Sequence, residues 1–225
     1  MKKINLLSAR SLAMLCILLQ VTSLSSATEN STTPMLAYRV TKKLSDGAGI
    51  DATLNIRFLE GFLENEREIA EIRYSKLIHG NEYMGAYNLQ FDRRGQSGSE
   101  HRLWQQVRHQ FVLPNSAFES SARIEERYFS NSAKFGTRLR VLNRWIKNLP
   151  LQNQLRIGHE LVYNLTDISA STQRGASQDR LIGSLNHTLP NGNRWELEYQ
   201  LRYVHNPISD NSIVHQLQWM YVFVL

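Results

Sequence analysis

From residue 35 to residue 225 apolar and polar side chains alternate with a period of two. In Arg194 to Val204 the residues Trp195, Leu197, Tyr199, Leu201 and Tyr203 share one parity, and Arg194, Glu196, Glu198, Gln200 and Arg202 share the other. Successive side chains of a strand point to opposite faces, so this segment is a strand with one greasy and one charged face. Residues 50–58 repeat the pattern, with Ile50, Leu54, Ile56 and Phe58 against Asp51, Thr53, Asn55 and Arg57. So do residues 117–128, with Phe118, Ala122, Ile124 and Tyr128 against Glu119, Ser121, Arg123, Glu125 and Arg127. The same reading predicts further strands near 35–44, 67–78, 82–91, 99–113, 136–147, 151–165, 179–189 and 212–225.

Tight turns alternate with longer loops along this run. The tight ones are Asp46-Gly47, His79-Gly80-Asn81, Pro114-Asn115-Ser116, Asn148-Leu149-Pro150 and Pro190-Asn191-Gly192-Asn193. The longer ones, 61–66, 92–98, 130–135, 166–178 and 205–211, are polar and rich in Ser, Asn, Asp and Gly. A soluble barrel hides its apolar face, whereas a membrane barrel turns it to lipid and keeps a polar lumen. Three features favour the second. The strands reach the roughly 9–11 residues that cross a bilayer, the loops alternate short and long, and the last strand is aromatic-rich, with Leu217, Trp219, Tyr221, Phe223 and Leu225 on one parity. Mean hydropathy is only -0.38, but a barrel strand shows lipid at every second residue, so an averaging window misses it. The expected fold is therefore all-β: an antiparallel up-and-down transmembrane β-barrel of ten to twelve strands. Eleven segments are visible, while single-chain bacterial barrels have even counts. Either residues 28–34 add a partial strand and make twelve, or 35–44 stands outside the wall and leaves ten.

The N-terminus has the form of an export signal. Lys2, Lys3 and Arg10 make a positive region, Leu12 to Val21 a short apolar one, and Ser25-Ser26-Ala27 a small-residue cleavage site. About ten apolar residues are too few to span a bilayer. The predicted organisation is a cleaved signal over 1–27, an N-terminal tail over 28–34 and the barrel over 35–225. The signal carries three positive and no negative charges, so the +6 of the whole chain becomes +3 and the basic balance carries no case for nucleic acid. The single cysteine, Cys16, leaves with it, which excludes disulfides and thiolate metal sites in the remainder.

The inward parity is rich in arginine: Arg57, Arg73, Arg102, Arg108, Arg123, Arg127, Arg138, Arg140, Arg144, Arg156, Arg180, Arg194 and Arg202, against Asp51, Glu71, Glu82, Glu100, Glu119, Glu125, Glu160, Glu196 and Glu198. No lysine belongs to this set, and a guanidinium fork can bridge carboxylates on neighbouring strands. Catalytic signals are lacking. Outer-membrane acyl hydrolases carry a His-x-Ser triplet on the lipid face, and none of His101, His109, His159, His187 and His215, all of outward parity, is followed two residues on by a serine. No histidine pair has chelating spacing, and no phosphate loop or dinucleotide fingerprint occurs, so no metal and no cofactor is expected.

Glu100-His101-Arg102-Leu103-Trp104-Gln105-Gln106 resembles a bacterial outer-membrane β-barrel family, domain of unknown function 2490. Further segments match it in order: Arg123-Ile124-Glu125-Glu126-Arg127, Arg138-Leu139-Arg140, Glu160-Leu161-Val162-Tyr163-Asn164 and Gln178-Asp179-Arg180. The family commonly opens with a Trp-bearing strand, where this chain has Leu36 and Tyr38. The resemblance implies an outer-membrane location and a barrel, without an activity. Its matching polar residues, Glu100, Arg102, Gln106, Arg123, Glu125, Arg127, Arg138, Arg140, Glu160 and Asn164, all have inward parity and are the candidate luminal network.

The expected role is structural, or that of a narrow, anion-leaning small-solute channel. The alternatives are an outer-membrane enzyme acting on lipid or surface polymer, in which Glu160 or His159 would matter, and a surface-binding module built on the 166–178 loop. The expected partners are outer-membrane lipid and, during biogenesis, periplasmic chaperones and the barrel assembly machinery.

Overall fold

The computed structural model describes residues 30–59, 64–93, 98–130, 134–167, 173–205 and 211–225. The export-signal segment and, in the long loops, residues 60–63, 94–97, 131–133, 168–172 and 206–210 lie outside the described residues. Eleven strands run in chain order: β1 (Asn30–Lys43), β2 (Ala48–Leu59), β3 (Glu64–Ile78), β4 (Asn81–Asp92), β5 (Ser99–Leu113), β6 (Ser116–Phe129), β7 (Lys134–Leu149), β8 (Asn153–Asn164), β9 (Gly175–Thr188), β10 (Arg194–Val204) and β11 (Ser212–Val224). Each pairs with its sequence neighbour antiparallel, and β1 closes on β11, so the sheet has no edge.

The count stands between the two even alternatives, because all eleven segments are in the wall. An odd number of up-and-down strands leaves the first and last pointing the same way. They must then pair parallel, as they do from Asn30↔Ile213 to Thr41↔Val224. Asn30 consequently stands at the long-loop rim and Leu225 at the tight-turn rim. The first strand also begins at Asn30 rather than at residue 35, so residues 30–34 are wall and not tail. Pro34, which has no N–H to give, lies opposite Leu217 and one residue beyond the ladder that joins β1 to β2 from Met35 onward.

Alternation divides the side chains by wall face. Tyr38, Leu54, Ile72, Tyr87, Leu103, Ile124, Trp145, Leu161, Leu181, Tyr199 and Trp219, one from each strand, are exposed on the outside. Asp51, Glu100, Glu119, Glu125, Arg138, Glu160, Asn186 and Gln216 are buried inside. Apolar groups fill the interior between them, among them Met84, Ala86, Trp104, Ile146, Val162 and Val222.

The turns follow from hairpin geometry. His79 and Gly80 both have positive φ, at 48° and 77°, which matches the twist of a two-residue hairpin. The β7–β8 turn is at 150–152 rather than 148–150, since β7 continues to Leu149, and Leu151 and Gln152 are held left-handed at φ 59°. One glycine has a packing reason. A Cβ at Gly158, on β8, would stand 2.9 Å from the Asn143 carbonyl oxygen and 3.3 Å from the Arg144 Cβ. Gly158→Ala is expected to cost about 1–3 kcal/mol by overpacking. Gly183→Ala, where a Cβ meets nothing within 4 Å, is expected to be near neutral. Urea midpoints of the two variants would show the difference.

Candidate functional site

The barrel interior is the candidate site, and arginines from β5 to β10 build it around three carboxylates. Glu100 Oε1 accepts from Arg102 Nη2 at 2.9 Å and from Arg127 Nε at 2.5 Å, while Gln90 donates to its other oxygen at 3.2 Å. Glu125, 0% exposed, accepts from Arg138 Nε at 2.8 Å and Arg140 Nη1 at 2.9 Å, with Arg123 Nη1 3.6 Å away. Glu160 accepts from Arg140 Nη2 at 2.7 Å and Arg180 Nη1 at 2.9 Å. Arg140 thus joins two carboxylates. The chain continues through Gln178, which accepts from Arg180 and Arg202, to Gln216, which accepts from Arg202 at 3.1 Å.

Nine of the ten residues singled out in the sequence pair with one another in two groups, Glu100 with Arg102 and Arg127, and Gln106, Arg123, Glu125, Arg138, Arg140 and Glu160, where Arg123 donates to Gln106 Oε1 at 2.7 Å. The tenth, Asn164, is buried on the inner face but serves the loop, donating to the Gln173 carbonyl at 3.1 Å. Nearer the tight turns, a further group pairs Asp51 with Arg73 and runs Glu82–Arg108–Glu119–Arg144.

Three contributors escaped the sequence reading. Trp104 lies inside, 2% exposed, donating to Glu71 Oε2 at 3.2 Å under the Arg123 guanidinium, whose carbon is 3.9 Å from the ring centre. A guanidinium on an aromatic face is attractive and fixes both planes. Arg39 and Arg67 also have inward register, opposite Thr53 and Arg57. Parity with Asp51 and Arg73 on neighbouring strands marks both.

Burial of so many charges is sustained because Glu100, Glu125 and Glu160 each have several donors and most guanidiniums have an acceptor. The arrangement holds cations in place on carboxylates. Glu160 and His159 point to opposite faces, and the Glu160 oxygens are taken by Arg140 and Arg180. The outward histidines have neighbours of their own: Tyr87 with His101 at 2.6 Å, Tyr199 with His215 at 2.7 Å, and His159 and His205 on Asp179 at 3.3 and 2.9 Å.

The family model described as protein of unknown function (DUF2490) matches residues 23–212. The chain belongs to this family. The match runs through β10 and the following loop to the first residue of β11, so ten of the strands of this DUF2490 barrel fall inside it and the closing strand follows. No curated protein matches the chain.

Proposed function

We propose that this DUF2490 chain is an outer-membrane β-barrel, exported by a cleaved signal, whose lumen is filled by the arginine–glutamate ladder and whose role is structural. The observation that carries the reading is the inversion of the wall: large apolar side chains face outward on all eleven strands while charged and amide groups are buried inside. An arrangement of that kind is expelled by water and accepted by lipid. The aromatic residues Trp219, Tyr221 and Phe223 of the last strand suit recognition by the barrel assembly machinery after passage with periplasmic chaperones.

The ladder favours a closed lumen over an open pore, because its members span β5 to β11 side by side. Liposomes carrying the refolded barrel are expected not to swell in neutral sugars; swelling would overturn the closed lumen. Recovery of the folded chain in the soluble fraction of cells would overturn the membrane reading itself. A second reading, a narrow anion route, is favoured by one observation. Among the described residues, Arg39, Arg57, Arg67, Arg194 and Arg202 form no ion pair with a carboxylate. Planar-bilayer recordings in a salt gradient would show an anion-signed reversal potential if that route conducts, and silence if it does not.

A further inference from the structure

Four pairs of arginines face each other directly across neighbouring strands: Arg102↔Arg127, Arg123↔Arg140, Arg180↔Arg202 and Arg57↔Arg67. Like charges directly opposite destabilise a sheet. In three of the pairs a single side-chain oxygen stands between the two cations. Glu100 Oε1 accepts from Arg102 and Arg127, at 2.9 and 2.5 Å. Glu125 Oε1 accepts from Arg140 at 2.9 Å and is 3.6 Å from Arg123. Gln178 Oε1 accepts from Arg180 at 2.9 Å and from Arg202 at 3.1 Å.

Among the described residues the fourth pair has no such oxygen. Among the described residues neither Arg57 nor Arg67 forms an ion pair, and the Nε of each is buried without a hydrogen-bond partner. Both side chains are half-buried, near the loop-side ends of β2 and β3. The charges of Arg202, Arg67 and Arg102 all act on Arg57, and the carboxylate of Glu66 acts against them. Arg202 adds to the surplus, since its acceptors are the neutral amides of Gln216 and Gln178, and its Nε has no partner.

We propose that Arg57 and Arg67, with Arg202 beside them, bind a small phosphate-type oxyanion that enters from the long-loop rim, one of its oxygens standing between the two guanidiniums as Glu100 Oε1 stands between Arg102 and Arg127. The fork of a guanidinium matches two phosphate oxygens, and a dianion offsets the cation surplus better than chloride. The site faces the interior, so its ligand is a soluble phosphate rather than a lipid headgroup on the outer wall. It uses only the long-loop end of the proposed barrel and needs no conduction.

The test is calorimetric titration of inorganic phosphate into the refolded full chain in maltoside micelles, at constant ionic strength balanced with chloride. Saturable binding is expected. Arg57→Gln and Arg67→Gln should each weaken it about tenfold or more, the loss of one charge-assisted contact. Arg57→Lys should retain part of it. Arg194→Gln, which removes an unpaired arginine at the opposite rim, should leave it unchanged. Folding of each variant is checked by the heat-modifiable gel shift. Should Arg57→Gln not fold, Arg67→Gln and a phosphate-dependent rise in the wild type's heat-modification temperature, absent with chloride, carry the same decision. No binding by the folded wild type, or an equal loss in Arg194→Gln, would overturn the site. Such a failure leaves the closed structural barrel standing, whereas sugar permeation overturns the closed lumen and leaves the phosphate site.

Discussion

Glu125→Gln is expected to destabilise the barrel by about 3–5 kcal/mol, the cost of breaking a buried ion pair and leaving its partner uncompensated. Glu125 is 0% exposed and is the carboxylate partner of Arg138, Arg140 and Arg123. Arg140 keeps Glu160 in the variant, but Arg138, buried on the inner face, has no second ion-pair partner among the described residues. Most of the cost therefore falls on Arg138. The double variant Glu125→Leu with Arg138→Met should lose less than Glu125→Gln alone, because it removes the stranded cation together with its counter-ion. Glu126→Gln, one residue away and outward, is expected to stay within about 0.5 kcal/mol. Urea midpoints for refolding into vesicles would rank the three, and a Glu125→Gln value as small as that of Glu126→Gln would remove the ladder as a source of stability.

The ladder also shows how far a period-two reading reaches. Parity alone gives the face of a residue, and Glu100, Glu125, Glu160 and their arginines stand on the face it assigns. Partners are another matter, because they depend on stagger between strands. Arg140 is opposite Val162 in register, yet it binds Glu160 one step along the same face, and it reaches Glu125 diagonally past Arg123. Two bulges, at Arg57/Phe58 and at Val162/Tyr163, shift the pairing by amounts that no local pattern announces. Trp104 was hidden for a different reason. It shares the parity of Arg102 and Gln106, which puts it inside, but it is apolar among charged neighbours, and its partners Glu71 and Arg123 come from other strands. Eleven segments are legible in the sequence, but the rule of even counts argues against an odd wall; the parallel ladder between β1 and β11, which lets an odd count close, has no local signature.

The outer face makes the stronger demand on the membrane reading, through Leu54→Arg. Leu54 is at the middle of β2, exposed on the outside between Tyr38 and Ala70 on the neighbouring strands. On a wall that faces water, an exposed leucine changed to arginine alters stability by no more than about 0.5 kcal/mol. On a wall that faces lipid, the same change at mid-depth costs about 2–4 kcal/mol, falling to about 0–1 kcal/mol near the interface. Ile78→Arg supplies the second point, since Ile78 is exposed and adjoins the His79-Gly80 turn at the rim. The expected result is a large loss for Leu54→Arg and a small one for Ile78→Arg, measured as folding free energies into phosphatidylcholine vesicles. The gradient matters more than either value, because packing damage has no reason to follow depth. In neutral micelles, where detergent and water rearrange around a charge, the two losses should converge. Equal, small losses in vesicles would mean that Tyr38, Leu54 and Ile72 face water, and the apolar outer wall would then need another protein surface to cover it.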